Sequence, residues 1–271
     1  MKCLEQIAQW PVENASAAVI TRDGEVLGSY GDLERVYPLA SVTKLLTAYA
    51  MLVALEEGAF ELDDAAGPDG ATIRHLLAHS SGLDFDTDEV RAAPGDRRIY
   101  SNTGFAVLAR TLTERSGIEF ADYLQEAVLA PLAMSSTTLA GSAGAGARSN
   151  VTDLIGFATE LQRPSIIDPS TLAAATSIEF PGLDGVLPGF GRQRPNDWGL
   201  GFEIRDGKEP HWTGASSSPE TYGHFGQSGT FLWVDPRAGT ACVVLTDRDF
   251  GPWAAQAWPA LTDAILAELG T

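Results

Sequence analysis

Only two of the 271 residues are cysteine, Cys3 and Cys242. That number excludes a disulfide framework and a cysteine metal cluster, and reduced thiols are expected. No apolar run approaches the roughly 18 residues that a membrane-spanning helix needs. The segment Met1-Lys2-Cys3-Leu4-Glu5-Gln6 carries a positive charge with no apolar stretch behind it, so no export signal is read there and a cytoplasmic location is expected. Basic residues are scarce: 18 Lys and Arg stand against 36 Asp and Glu, a formal net charge of -18. Nucleic acid and anionic membranes would repel such a chain, so neither is an expected partner. Familiar catalytic signatures are also missing. Gly226-Gln227-Ser228-Gly229 lacks the spacing of a Gly-x-Ser-x-Gly elbow. No phosphate-binding Gly-x-x-x-x-Gly-Lys loop occurs. Gly144-Ala145-Gly146 has neither a third glycine nor a preceding strand, so no nucleotide cofactor is implied.

What is present reads as a globular core. Hydrophobic residues make up 44% of the chain and charged ones 20%, proportions that bury apolar surface rather than leave it disordered. Ala17–Thr21 and Glu25–Tyr30 flank Arg22-Asp23-Gly24, a hairpin signal. Ser41 to Glu57 reads as a helix stopped by Gly58, and its Leu45, Leu46, Tyr49, Met51, Leu52, Val53 and Leu55 leave almost no polar face. A helix apolar all round belongs inside the protein. Helical patterns follow, with Thr72 and Thr152 as caps and stripes at Phe105/Leu108/Leu112 and Phe120/Leu124/Val128, and Ala140 to Ala147 forms a loop of small residues. Strand patterns return at Leu200–Ile204, Thr230–Val234 and Ala241–Leu245, before a closing helix from Trp253 to Leu269. Strands at both ends with helices between predict an α/β (α+β) fold. An antiparallel sheet built from both chain termini would form one lobe, about 1–58 and 198–271. A helical lobe, about 59–197, would complete a single domain.

Chemistry centres on Ser41-Val42-Thr43-Lys44. Serine and lysine three apart share a helix face. The bland alternative is a capping serine with a solvated lysine. A lysine in a buried helix, however, needs a partner or a purpose, and desolvation makes it easier to deprotonate and so fit to act as a base toward a hydroxyl. Tyr100-Ser101-Asn102 opens a later helix and His224-Phe225-Gly226 lies beside a candidate strand. His75 and His79 have zinc-compatible spacing, but Leu76 stands where a metalloprotease has glutamate and no third ligand is evident. Capping and hydrogen bonding at the helix end is their expected role, and no metal is assigned.

Taken in order, these motifs resemble the serine β-lactamase and penicillin-binding protein family, in its branch of class C β-lactamases, D-alanyl-D-alanine carboxypeptidases and esterases. The family's Ser-x-x-Lys, Tyr-x-Asn and Lys-Thr-Gly or His-x-Gly fall at Ser41/Lys44, Tyr100/Asn102 and His224/Gly226. The segment from His75 to Leu83 is similar to the family's Leu-Leu-x-His-x-Ser-Gly-Leu. The resemblance implies a β-lactamase/transpeptidase-like fold and an acyl-enzyme hydrolase of small-molecule esters, amides or β-lactams. Ser41 would be the nucleophile, and Lys44 and Tyr100 would share the base role, with the choice between them open. Asn102 would orient Lys44 and offer an amide to the substrate. The backbone N–H groups of Ser41 and Gln227 would form the oxyanion hole, and Gly226 would let substrate approach the strand. The chain departs from the pattern where His224 replaces the lysine of many β-lactamases, and where the interval between the second and third motifs is shorter than in class C enzymes. A neutral histidine would hold a substrate carboxylate more weakly, which favours esterase-like activity. A true β-lactamase, a D-alanyl-D-alanine carboxypeptidase and an inactive scaffold of the same fold are the alternatives.

Overall fold

The computed structural model describes residues 1–270. Its strands are β1 (Ala15–Thr21), β2 (Val26–Tyr30), β3 (Tyr37–Pro38), β4 (Thr138–Leu139), β5 (Ala147–Ser149), β6 (Gly185–Leu187), β7 (Gly191–Gln193), β8 (Glu203–Ile204), β9 (Tyr222–Gly226), β10 (Thr230–Asp235) and β11 (Thr240–Thr246). Its α-helices are α1 (Thr43–Glu56), α2 (Ile73–Leu77), α3 (Asn102–Ser116), α4 (Phe120–Leu124), α5 (Val151–Glu160), α6 (Pro169–Ala175) and α7 (Pro252–Leu269). A six-stranded antiparallel sheet runs β2-β1-β11-β10-β9-β8 and so joins the two ends of the chain, as the strand pattern predicts.

Both faces of this sheet are covered, which explains why its strands read as unbroken apolar runs. Ala18, Ile20, Leu232, Val234, Val243 and Leu245 face a core shared with α1, α3, α4 and α5. Their neighbours Ala17, Val19, Phe231, Trp233, Cys242 and Val244 face a second core, closed by α7 and a short 3-10 helix, Lys2–Gln9. Residues Thr43 to Ala54 of α1 are all buried, as expected of a helix without a polar face. Both cysteines are free thiols. No helix among the described residues is long and apolar enough to cross a membrane.

Several local expectations need correction. Asn150, not Thr152, caps α5, accepting from the Asp153 amide, because its side chain sits three residues ahead of the first free N–H. The strand expected at Leu200–Ile204 is reduced to Glu203–Ile204: Gly201 takes a left-handed φ of 86° where it presses against the Ala48 side chain, which breaks the extended run. The helix through Phe120, Leu124 and Val128 widens into a π-turn over Gln125–Leu129.

Candidate active site

Two turns of backbone, tied together, aim Ser41. Pro38-Leu39-Ala40 leads into a 3-10 turn, Ala40–Val42, that continues as α1. Ala40 holds a φ of 44°, a costly conformation for a residue with a Cβ, immediately before Ser41. Ser228 Oγ donates to Pro38 O (2.7 Å) and Thr230 Oγ1 to Leu39 O (2.9 Å), so the β9–β10 turn is tied to the segment that aims Ser41. Gly226 completes the join. A Cβ there would lie 2.3 Å from Leu39 O and 3.1 Å from Ala40 Cβ. The glycine is therefore required by the approach of β9 to the Ser41 segment, and the space beside it is filled by protein rather than open to substrate.

Lys44 is fully buried. Its Nζ lies 3.4 Å from Ser41 Oγ and donates to Asn102 Oδ1 (2.5 Å) and Gly144 O (2.8 Å). Among the described residues no carboxylate comes within salt-bridge distance of it. Burial pulls its pKa down to about 7, and the charge of Asp86 opposes that fall. The Gly144 carbonyl is delivered by the small-residue loop. Thr47 Oγ1 donates to Ala143 O (2.6 Å), the Ala147 amide donates to Thr43 Oγ1 (3.0 Å), and a side chain at 144 would crowd Asn102. Asn102 is fixed from its other end, with Nδ2 donating to Asp86 Oδ1 (2.8 Å).

Tyr100 precedes α3, which Ser101 caps by accepting from the Gly104 amide (2.9 Å). The Tyr100 hydroxyl is buried and unpartnered. Burial raises its pKa well above the usual phenol value, and interaction with the Ser41 side chain opposes part of the rise. Lys44 Nζ lies 4.6 Å from the centre of the Tyr100 ring. His224 on β9 is also buried. Its Nδ1 donates to Phe225 O (2.6 Å), which leaves Nε2 as an unpartnered acceptor, and burial followed by the Lys44 charge pulls the pKa down to about 3. The neutral state expected from the sequence is therefore present, but the free nitrogen offers a lone pair and not a proton.

Ser41, Tyr100, His224 and Gln227 line one pocket of about 80 Å³ with Phe85, Leu187, Pro188, Trp198 and Phe225. All the sequence-predicted residues except Gly226 thus face Ser41, Lys44 or this pocket. The Gln227 side chain turns away and donates to Phe250 O (3.2 Å). His75 and His79 diverge. His75 Nδ1 pairs with the Thr72 hydroxyl at the α2 N-cap (2.9 Å), whereas His79 lies past the helix with a φ of 54° and accepts from the Ser101 amide (3.2 Å). Among the described residues no group of three or more His, Cys, Asp or Glu is placed to hold a metal ion. Sequence reasoning missed Ala40, Asp86, Gly144 and Trp198. Only Gly144 carried a signal, the small residues of its loop.

Residues 9–267 match the family model described as Beta-lactamase. A β-lactamase from Mycobacterium bovis is 58% identical, with a TM-score of 0.97 over 99% of this chain and 100% of that one. A D-alanyl-D-alanine carboxypeptidase/endopeptidase, AmpH of Escherichia coli, is 28% identical over 170 residues, 45% of this chain and 44% of its own length. Penicillin-binding protein 4* of Bacillus subtilis is 27% identical over 38% of this chain and 30% of its own. These matches span less than half the length of either curated relative.

Proposed function

The chain belongs to the beta-lactamase family, and from that premise we propose a serine hydrolase that forms an acyl-enzyme at Ser41 and prefers small esters. The observation that carries this reading is Lys44: a buried amine 3.4 Å from the Ser41 hydroxyl, held by two neutral oxygens, with a pKa near 7. Half of such amines are neutral at pH ~7 and can take a proton. The phenol of Tyr100 has the opposite bias and stays protonated, so Lys44 acts as the base toward Ser41. Tyr100 then serves as the hydroxyl through which the proton reaches the leaving group. Asn102 and the Gly144 carbonyl orient Lys44. Ser41 and Gln227 both line the pocket, which supports their backbone amides as the donors that stabilise the oxyanion as the tetrahedral centre forms. Collapse expels the alcohol, and water then releases the acid by the reverse proton path.

Preference for esters rests on His224, whose buried Nε2 carries a lone pair and has no proton to offer a carboxylate. A β-lactamase is the second reading, favoured by the 58% identity to the Mycobacterium bovis protein. We further propose that residues 1–271 work as one unit, since α1 packs in a core with the helices and with strands from both termini. Intact-mass analysis after a fluorophosphonate and, separately, a penicillin tests the reading. A single adduct on Ser41 is expected with the fluorophosphonate, and no adduct would overturn it.

A further inference from the structure

A larger cleft opens beside the acyl pocket. It measures roughly 470 Å³ and shares Phe85, Tyr100 and Pro188 with the pocket, so a molecule held at Ser41 reaches directly into it. Its charge runs against that of the chain. On a protein with a net charge of -18, four arginines, Arg91, Arg97, Arg98 and Arg192, line this one cleft with only two carboxylates, Asp84 and Asp184. Arg91 is matched twice, by Asp84 and by Glu89 from just outside the cleft (2.9 Å each). Asp184 is shared by Arg192 and Arg194 through one oxygen (3.1 and 3.2 Å), which leaves a positive excess. Arg98 is buried and donates to backbone carbonyls only, among them Ala78 O (2.7 Å). Arg97 is exposed, and among the described residues it has no carboxylate partner. Its guanidinium donates to the Arg91 carbonyl (3.1 Å). The floor and rim are apolar: Ile99, Pro188, Phe85 (46% exposed) and Val186 (60% exposed).

We propose that this cleft binds the leaving-group half of the substrate, an apolar spacer ending in a carboxylate or phosphate that Arg97 receives. The proposal rests on the ester-hydrolase reading above and names the substrate class for it. The 80 Å³ inner pocket admits a short acyl group, and the larger outer cleft takes the remainder. A guanidinium without a protein counter-ion offers a forked donor that carboxylate and phosphate both match. The anion is thereby read beyond Phe85 and Tyr100, away from the scissile bond, where His224 offers no donor.

The test uses three aryl acetates that differ only at the far end of the phenol: a butyl chain, the same chain ending in a carboxylate, and one ending in a phosphate. In the wild type, kcat/KM for either anionic ester should exceed that for the butyl ester by about five- to tenfold, the worth of one exposed charge-assisted hydrogen bond. The ratio should fall toward one in Arg97→Gln, persist in Arg97→Lys and shrink in 0.5 M salt. Because each protein is scored by its own ratio, a general loss of activity does not imitate the result. A wild-type ratio near one, or a ratio that survives in Arg97→Gln, overturns the proposal; which anion gives the larger ratio decides between carboxylate and phosphate. If no ester is cleaved and Ser41 is not labelled, the hydrolase reading has failed. The anion site is then judged by calorimetric binding of 4-(4-hydroxyphenyl)butyrate, which must weaken in Arg97→Gln.

Discussion

Asn102 Oδ1 accepts from Lys44 Nζ at 2.5 Å across 58 residues of sequence, and the far side of the same amide donates to Asp86. The amide thus sits between an exposed carboxylate and a buried amine. Asp86 fixes which end of Asn102 faces Lys44, and its charge holds up a pKa that burial drives down.

The pH dependence follows from that pair. Lys44 must be neutral to accept a proton, and its pKa lies near 7. Thus kcat/KM should rise as pH increases through about 7 and level off above it, with about a tenth of the plateau at pH ~6. His224, near 3, contributes nothing in this range. In Asp86→Asn the opposing charge is gone, so the rising limb should move to lower pH. A limb that stays in place, or moves up, contradicts the role of Asp86.

Replacing Ser41 by Ala should abolish fluorophosphonate labelling and lower ester hydrolysis by on the order of 10⁴–10⁶. Intact mass and initial rates measure both. Adduct formation in that variant would place the nucleophile elsewhere.

Lys44 and Tyr100 are predicted to act on one proton path. Lys44→Ala and Tyr100→Phe should each be severe, and the double variant little worse than either, because groups working as a unit are not additive. Rate losses that multiply in the double variant would show two independent functions.

Gly226→Ala tests the join between β9 and the Ser41 segment. The added methyl meets Leu39 O at 2.3 Å, so backbone has to move. Overpacking of this kind costs about 1–3 kcal/mol, and the displacement falls on the turn that aims Ser41. A lower denaturation midpoint together with a loss of kcat of at least about tenfold is expected. Unaltered kcat in a destabilised variant would make Gly226 a purely structural residue.

The sheet and its pairing of both termini were legible because alternate apolar residues serve two cores, and the run Thr230 to Leu245 carries its own turn. Ser41, Lys44, Tyr100 and Asn102 were legible as local motifs, since each pair lies within one turn of chain. Contacts set by tertiary approach were not. Gly144 reaches Lys44 from 100 residues away, and Asp86 lies in an exposed loop 16 residues before the asparagine it holds. Nothing near Ala40 in the sequence announces its positive φ, which is imposed by the strand turn tied to Pro38 and Leu39. Gly226 was identified, but the close approach of Leu39 O that requires it was not, because a glycine needed for a neighbour and one needed for a ligand look alike in sequence.

The final prediction concerns His224. Its Nδ1 proton is committed to Phe225 O, and its pKa near 3 keeps the ring neutral, so Nε2 carries a lone pair and no proton. A carboxylate beside the scissile bond, as a penicillin carries, would meet that lone pair with no proton between them. A charged donor at this position would supply a hydrogen bond stronger than a neutral one by about 1 kcal/mol, and the actual histidine supplies none. The wild type should therefore cleave p-nitrophenyl acetate at least about tenfold faster, by kcat/KM, than a penicillin or a cephalosporin. His224→Lys should narrow that gap by restoring a cation, and His224→Gln, which can donate without charge, should narrow it less. The measurement is kcat/KM for all three substrates in the three proteins. If the wild type hydrolyses either β-lactam faster than the ester, the lone pair does not govern selection and β-lactamase becomes the better reading.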